Sequence, residues 1–319
     1  MLDLIIVGAG PMGITVGIEA QKAGLSYLII DKGALVNSIY HFPTNMTFFS
    51  TSEKLEIGGV PFISHGDKPT RSEALEYFRR VIERWKLSIS NYEAVTEIKR
   101  HTDHFEIKSA KTSYTSKSVV IATGFYGLPN LMDVKGEDSK KVKHYYDEAH
   151  PYLGKKVAVV GAANSACDVA LELYHKGVDV TMIIRGTAIS DRVKYWIRPN
   201  ILNRIAEGSI MAYFESQVLE IRENELLIAT PSGEKVIEND FLLAMTGYLP
   251  DYSLLEQAGI QFQDDAFRTP IYKESTHETN VRGLYLAGVV CGGRKTNKYF
   301  IENSKDHAEK IIGHLKGES

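Results

Sequence analysis

Two glycine-rich turns and two residues of opposite charge hold most of the chemistry legible in this chain. The turns read GAGPMG from Gly8 to Gly13 and GAANSA from Gly161 to Ala166. Each closes an apolar strand-like run and opens a helical one. That places unpaired helix N–H groups and the positive end of the helix dipole at the turn, where an anion such as phosphate is bound. In the first turn Gly8 permits the tight reversal, Gly10 lets backbone approach a pyrophosphate, and Gly13 lets the helix pack closely. Pro11 suits the first helical turn, where no amide hydrogen is needed. Asp31, followed by Lys32, ends the next strand about 20 residues beyond Gly10, where a carboxylate accepts hydrogen bonds from ribose hydroxyls. These features predict a bound dinucleotide.

The second turn departs from that pattern. Ala163 replaces the middle glycine and Ala166 the last, while Asn164 and Ser165 are expected to donate to phosphate. Arg185 stands where the ribose-binding acid would be. A guanidinium there suits a 2′-phosphate better than a free hydroxyl, and Arg192 and Lys194 are expected to share its charge. The second nucleotide is therefore read as NADPH rather than NADH.

The elements that must position these residues form one unit used twice. In the first copy a strand at 2–7 leads through the turn into a helix at 11–23, then a strand at 27–30. A further helix begins at Thr70-Arg71-Ser72-Glu73, a capping-box pattern, with Leu75, Phe78, Val81, Ile82 and Trp85 at helical spacing. The alternating stretch 92–120 reads as a β-meander ending in VVIATG, with Ala122, Thr123 and Gly124 beside the nucleotide. The second copy starts at Lys156, passes through a helix to about His175 and a strand at 178–184, and ends in a meander at 214–240 and LLAMTG, with Gly247 as its counterpart. The repeat predicts an α/β fold of two Rossmann-like three-layer dinucleotide-binding domains, each with a β-meander. The remaining GLYLAGVVCGG segment at 283–293, with a terminal helix from about Lys298, is expected to complete the first domain and make it discontinuous. Ile311, Ile312 and Leu315 on that helix read as core.

Composition narrows the class. The chain has 319 residues, 44% hydrophobic and 24% charged, with a net charge of −3, which gives no reason to expect nucleic acid. No apolar run approaches the roughly 20 residues that span a bilayer, and no signal peptide is expected before the first strand. The two cysteines, Cys167 and Cys291, make no disulfide framework and fit a reducing cytoplasm.

GAGPMG with Asp31, VVIATG, VVGAANSACD, IIRG, MTGYLPD and TNVRGLYLAGVV together resemble the thioredoxin-reductase-like flavoproteins nearly end to end. Within that group, the stretches 39–62 and KTNKYFIEN at 295–303 are similar to YpdA-type bacillithiol disulfide reductases. The resemblance implies FAD on a domain built from residues 1–120 and 247–319, NADPH on residues 121–246, and a homodimer. It also implies that Thr44, Asn45 and Thr47, with Gly288, Val289, Lys298 and Tyr299, lie at the flavin, and that the terminal helix aims its positive end there. His41 is read chiefly as a turn-stabilising residue.

Several residues depart from the family's pattern. No CxxC dithiol opens the second domain, Met12 stands where YpdA-type enzymes often carry a cysteine, and Gly288-Val289 replaces the group's usual Gly-Asp. Without a dithiol, a substrate disulfide meets the flavin directly or uses a lone cysteine; Cys291, after a strand expected near the flavin, is the better candidate, although a packing role outweighs it. Cys167 reads as packing. The leading expectation is an NADPH-dependent FAD reductase of a low-molecular-weight disulfide. The alternatives are a ferredoxin or flavodoxin reductase serving a small redox protein, a flavin monooxygenase suggested by Val134-Lys135-Gly136 with His144 and Tyr146, and a nucleotide-bound redox sensor.

Overall fold

A computed structural model describes residues 1–317. The chain divides into two compact units, Met1–Leu128 with Tyr248 onward, and Pro129–Gly247. The first unit thus keeps residues 121–128, which the sequence reading gave to the second. Ile121 is still in the sheet, paired with Val7 and Leu286, and the Ala122 amide donates to the Val7 carbonyl at 2.8 Å. Gly247 falls in the second unit, where its carbonyl accepts from the Asn130 amide at 2.9 Å.

In the first unit, strands Ile89–Ser90, Tyr27–Ile30, Leu2–Val7 and Ser113–Ile121 run parallel in that order. The Ser113–Ile121 strand does two jobs. Its first half pairs antiparallel with Phe105–Ser109, which pairs with Val95–Arg100 to form the meander. Its second half takes Leu284–Leu286 as a parallel neighbour. Leu4, Ile5 and Ile6 have no exposed surface, as expected of a strand covered on both faces. Alternation divides them: Leu4 and Ile6 pack with Val16 and Ala20 of helix Pro11–Lys22 and with Ala308, Ile311 and Ile312, while Ile5 and Val7 pack with Phe105 and Ile107 of the meander. Helices, sheet and meander are the three layers.

Helix Arg71–Trp85 opens on a complete capping box: Thr70 Oγ1 accepts from the Glu73 amide at 3.3 Å, and Glu73 Oε2 accepts from the Thr70 amide at 2.7 Å. Its buried Tyr77, Phe78 and Val81 pack against Ile14 and Ile18.

The second unit has five parallel strands in the order Met211–Tyr213, Asp179–Ile183, Lys156–Val160, Phe241–Ala244 and Val142–Lys143. Its meander, Gln217–Ile221, Glu225–Thr230 and Gly233–Glu238, forms a separate antiparallel sheet. Cys167, Val169, Ala170 and Leu173 of helix Asn164–His175 fill the core beneath the parallel sheet.

The terminal helix starts later than its pattern suggested, spanning Asp306–Leu315. Residues 300–304 close a polar turn instead: Asn303 Oδ1 accepts from the Phe300 amide at 2.6 Å and Ser304 Oγ donates to the Phe300 carbonyl at 2.5 Å. Local side-chain-to-backbone bonds of this kind compete with helix. No helix among the described residues is long and apolar enough to cross a membrane.

Candidate functional site

The C-terminal ends of the first unit's parallel strands, the first glycine turn and Gly288-Val289 enclose a cavity. Gly8, Gly10, Pro11, Met12, Asp31, Lys32, Ala122, Thr123 and Gly124 line it. The three fingerprint glycines have distinct duties. Gly8 has φ +110°, and a Cβ there would lie 2.5 Å from the Ala122 carbonyl oxygen. A Cβ on Gly13 would lie 1.8 Å from the Gly8 oxygen, so the helix can reach the turn only without one. Around Gly10 nothing comes within 4 Å of such a Cβ, because the space beside it is the cavity. Gly10 is the N-cap of helix Pro11–Lys22 and has no side-chain cap, so the first helical amides are left for a ligand.

Asp31 is buried and fixed. Its Oδ2 accepts from the Ala9 amide at 2.6 Å and its Oδ1 from the Gly33 amide at 2.8 Å. Each oxygen retains acceptor capacity for a hydroxyl. The carboxylate therefore ties the glycine turn to the strand end and still faces the cavity. An open anion cradle with a ribose-reading carboxylate in one cavity fits the adenosine-pyrophosphate arm of a dinucleotide.

Other predicted residues fall elsewhere. Thr44, Asn45 and Thr47 are exposed and outside the cavity lining; Thr47 bridges to Thr70. Asn37, Ser38, Ile39, Phe42 and Phe48 take that place on the wall. His41 caps the turn, its ring nitrogen Nδ1 2.8 Å from the Asn37 carbonyl. Lys298 is exposed and Tyr299 turns inward to Tyr272, with hydroxyls 2.9 Å apart, so neither lines the cavity. Phe300, Ile301 and Ser304 do, and with the helix beginning at Asp306 its positive end is not at Lys298. Asp251, Ser253 and Leu254 also line the wall: Asp251 ends the MTGYLPD stretch, whereas Ser253 and Leu254 open the short helix Ser253–Gln257, which the sequence reading did not assign.

Neither cysteine reaches the cavity. Cys291 is fully buried behind Gly288-Val289, and desolvation pushes its thiol pKa up, away from the nucleophilic thiolate. That removes it as the redox candidate. Cys167 is also fully buried, with its pKa pushed up to about 12, chiefly by burial. Where a thiol was a possibility, Met12 lies buried at the wall, with Ser304 Oγ 3.1 Å from its sulfur.

In the second unit, Gly161 has φ +130°, and a Cβ there would sit 2.7 Å from the Met245 carbonyl oxygen. Ala166 is fully buried; Ser165 is exposed in the first turn of the helix. Asn164 is already committed: its amide nitrogen donates to the Arg192 carbonyl at 3.2 Å and its oxygen accepts from the Lys194 amide at 2.9 Å. It positions the 190–194 loop and does not reach out to phosphate. Lys194 is buried, with Nζ 3.1 Å from Asp168 Oδ2, so it is unsuited to share charge with a ligand. Desolvation raises the Asp168 pKa, and Lys194 opposes that rise. Arg185 and Arg192 remain exposed. Arg185 lines a small hollow with Glu215, Ser216, Gln217 and Thr230, beyond the end of its strand.

Residues 5–288 match the family model described as pyridine nucleotide-disulphide oxidoreductase. The chain is 44% identical to Bacilliredoxin reductase Bdr of Bacillus subtilis (strain 168) over 98% of its length and 96% of that protein's. Two solved structures titled Bacillithiol Disulfide Reductase Bdr (YpdA), from Staphylococcus aureus and Bacillus cereus, superpose with TM-scores of 0.97 and 0.96. Each is 40% identical and covered over 99% of its chain, with all of this chain matched.

Proposed function

The chain belongs to the pyridine nucleotide-disulphide oxidoreductase family, and on that premise we propose that it is an NADPH-dependent FAD reductase of a low-molecular-weight thiol disulfide of the bacillithiol class, or of a bacilliredoxin carrying it. The observation that carries this reading is the cavity in which an unfilled Gly10 cradle and the doubly anchored Asp31 converge, in a chain so similar to reductases of that name. A flavin bound there supplies two-electron transfer from a nicotinamide to a disulfide. The chain's own part is to hold and to exclude. Gly10 and the helix amides receive the pyrophosphate, and Asp31 takes the ribose hydroxyls. Phe42 and Phe48 offer apolar wall to a ring. On the second unit Arg185 and Arg192 take the 2′-phosphate and Ser165 the pyrophosphate.

The distinguishing property is the absence of a protein thiol at this cavity among the described residues. With Met12 at the wall and both cysteines buried, the disulfide takes its electrons without a mixed disulfide to this chain. The test is steady-state NADPH oxidation by the FAD-loaded protein with bacillithiol disulfide as acceptor. Turnover supports the proposal. Flavin that is bleached by NADPH and reoxidised by no small disulfide or bacilliredoxin, but readily by a ferredoxin, overturns it.

A further inference from the structure

Behind the cavity wall lies a cluster that none of this chemistry uses. His277 precedes strand Leu284–Leu286, Cys291 lies in the tight helical segment Gly288–Gly292 after it, and His307 opens the terminal helix. Their exposures are 2%, 0% and 2%. Cys291 Sγ is 3.8 Å from His277 Nδ1 and 4.0 Å from His307 Nδ1, and the two imidazole rings are 3.9 Å apart between centroids. One donor atom from each residue lies within 4.8 Å of the other two. Cores are rarely built from two imidazoles and a thiol; apolar side chains of similar volume would pack there without desolvated nitrogens.

We propose that His277, Cys291 and His307 form a three-coordinate site for a single soft monovalent d¹⁰ cation of the copper(I) type. The separations suit it. With metal–sulfur and metal–nitrogen bonds of about 2.3 and 2.1 Å, sulfur–nitrogen distances of this size subtend about 120–135° at the ion, wider than tetrahedral and close to trigonal. The donors suit it as well, since thiolate and imidazole together favour soft ions. A neutral imidazole keeps one ring nitrogen with a lone pair, which is the form that binds a metal.

Charge selects the valence. A thiolate, two neutral imidazoles and a monovalent ion sum to zero, whereas a divalent ion would leave a net charge in the core. Lys298 and Lys310 already act on the cluster with positive potential, against Asp306 and Glu274. Binding is a ligand exchange with no change of oxidation state: the Cys291 S–H bond breaks, its proton goes to solvent, and a metal–sulfur bond forms. The His277 proton that faces the Leu286 carbonyl at 3.1 Å moves to Nε2, and His307 Nδ1 releases the Gly288 amide, also at 3.1 Å. Entry to so buried a site takes a local opening.

The experiment is an anaerobic titration of the full-length purified protein with copper(I) against bathocuproine disulfonate. One ion per chain is expected to be withheld from the chelator, with one sulfur and two nitrogen neighbours by X-ray absorption. Cys291→Ala should weaken binding more than about 100-fold, since it removes a direct ligand, while Cys167→Ala leaves it unchanged. Circular dichroism checks that each variant is folded. If Cys291→Ala does not fold, the ligand set of the unmodified protein decides alone. No ion withheld, a coordination shell lacking sulfur or holding two, or full binding by folded Cys291→Ala overturns the proposal.

Discussion

Gly10→Ala separates ligand binding from folding more cleanly than any other change in the first turn. In the unliganded protein a methyl group at residue 10 meets nothing within 4 Å, and the residue has φ −74° and ψ 177°, an extended conformation open to alanine. Its stability should therefore change by no more than about 0.5 kcal/mol, the usual range for a substitution that touches no neighbour. With a dinucleotide present the methyl occupies the space through which a pyrophosphate approaches the backbone. Losing two hydrogen bonds to a charged oxygen at about 1.5–3 kcal/mol each weakens binding by roughly 10² to 10⁴-fold. The assay has two arms: urea unfolding of the apoprotein, and FAD titration followed by quenching of flavin fluorescence. Gly13→Ala is the internal contrast, because its methyl would lie 1.8 Å from the Gly8 carbonyl oxygen and must destabilise the apoprotein itself. Gly10→Ala binding FAD within about threefold of the parent, or unfolding as readily as Gly13→Ala, would refute the assignment of Gly10 to the pyrophosphate.

Four further outcomes follow from the geometry. The double variant Cys167→Ala/Cys291→Ala should keep NADPH-driven disulfide turnover, since neither thiol lines the cavity; loss of turnover with flavin still bound would show that a protein thiol carries electrons. Arg185→Gln should raise KM for NADPH by about 10-fold or more while leaving NADH use nearly unchanged, and an equal effect on both cofactors would place the 2′-phosphate elsewhere. His277 and His307 have folded pKa values of about 4 and about 3, below the unfolded value near 6.5, so the unfolded chain binds more protons in that window and stability falls as pH drops. The pair should cost about 4 kcal/mol between pH 7 and pH 5 in unfolding free energy, and His307→Gln should remove about half of that slope. Thr70→Ala, which breaks the capping box, should cost about 1 kcal/mol in urea unfolding without altering FAD affinity.

The parts of this molecule legible in its sequence are those whose signal is local. The glycine turns, the capping box at Thr70 and the apolar strands each state their geometry within a few residues. The duplicated pattern then gives the two units and their meanders. What stayed hidden depends on contacts made across long sequence separations. Lys194 reads as a free basic residue, yet the helix before it places Asp168 beneath its ammonium group. Asn164 reads as a phosphate donor until the 190–194 backbone is seen to occupy its amide. Thr44 and Thr47 are flavin contacts by the family resemblance, but the chain from 37 to 48 turns Phe42 and Phe48 inward instead. The sequence reading starts the terminal helix at about Lys298, whereas Asn303 and Ser304 bond locally and delay its start to Asp306. Cys291 looked near the flavin because its strand does reach the cavity; only the three-dimensional turn after Gly288 sends the thiol to the opposite side.

The Ser113–Ile121 strand, shared between the meander and Leu284–Leu286, also sets an order of events during synthesis. Its outer partner is encoded about 165 residues after it, behind the whole of the second unit. At roughly 5–20 residues per second, a ribosome takes on the order of 8–30 s to deliver that partner. Throughout that interval Val119, Val120 and Ile121 present an apolar, unpaired edge, and before it ends Pro129–Gly247 has all its own strands. The nascent chain is thus a completed module tethered to an unfinished one, the state in which an edge-capping chaperone would bind. A chain stopped after Gly247 should accordingly aggregate through that edge, and the isolated Pro129–Gly247 module should remain monomeric.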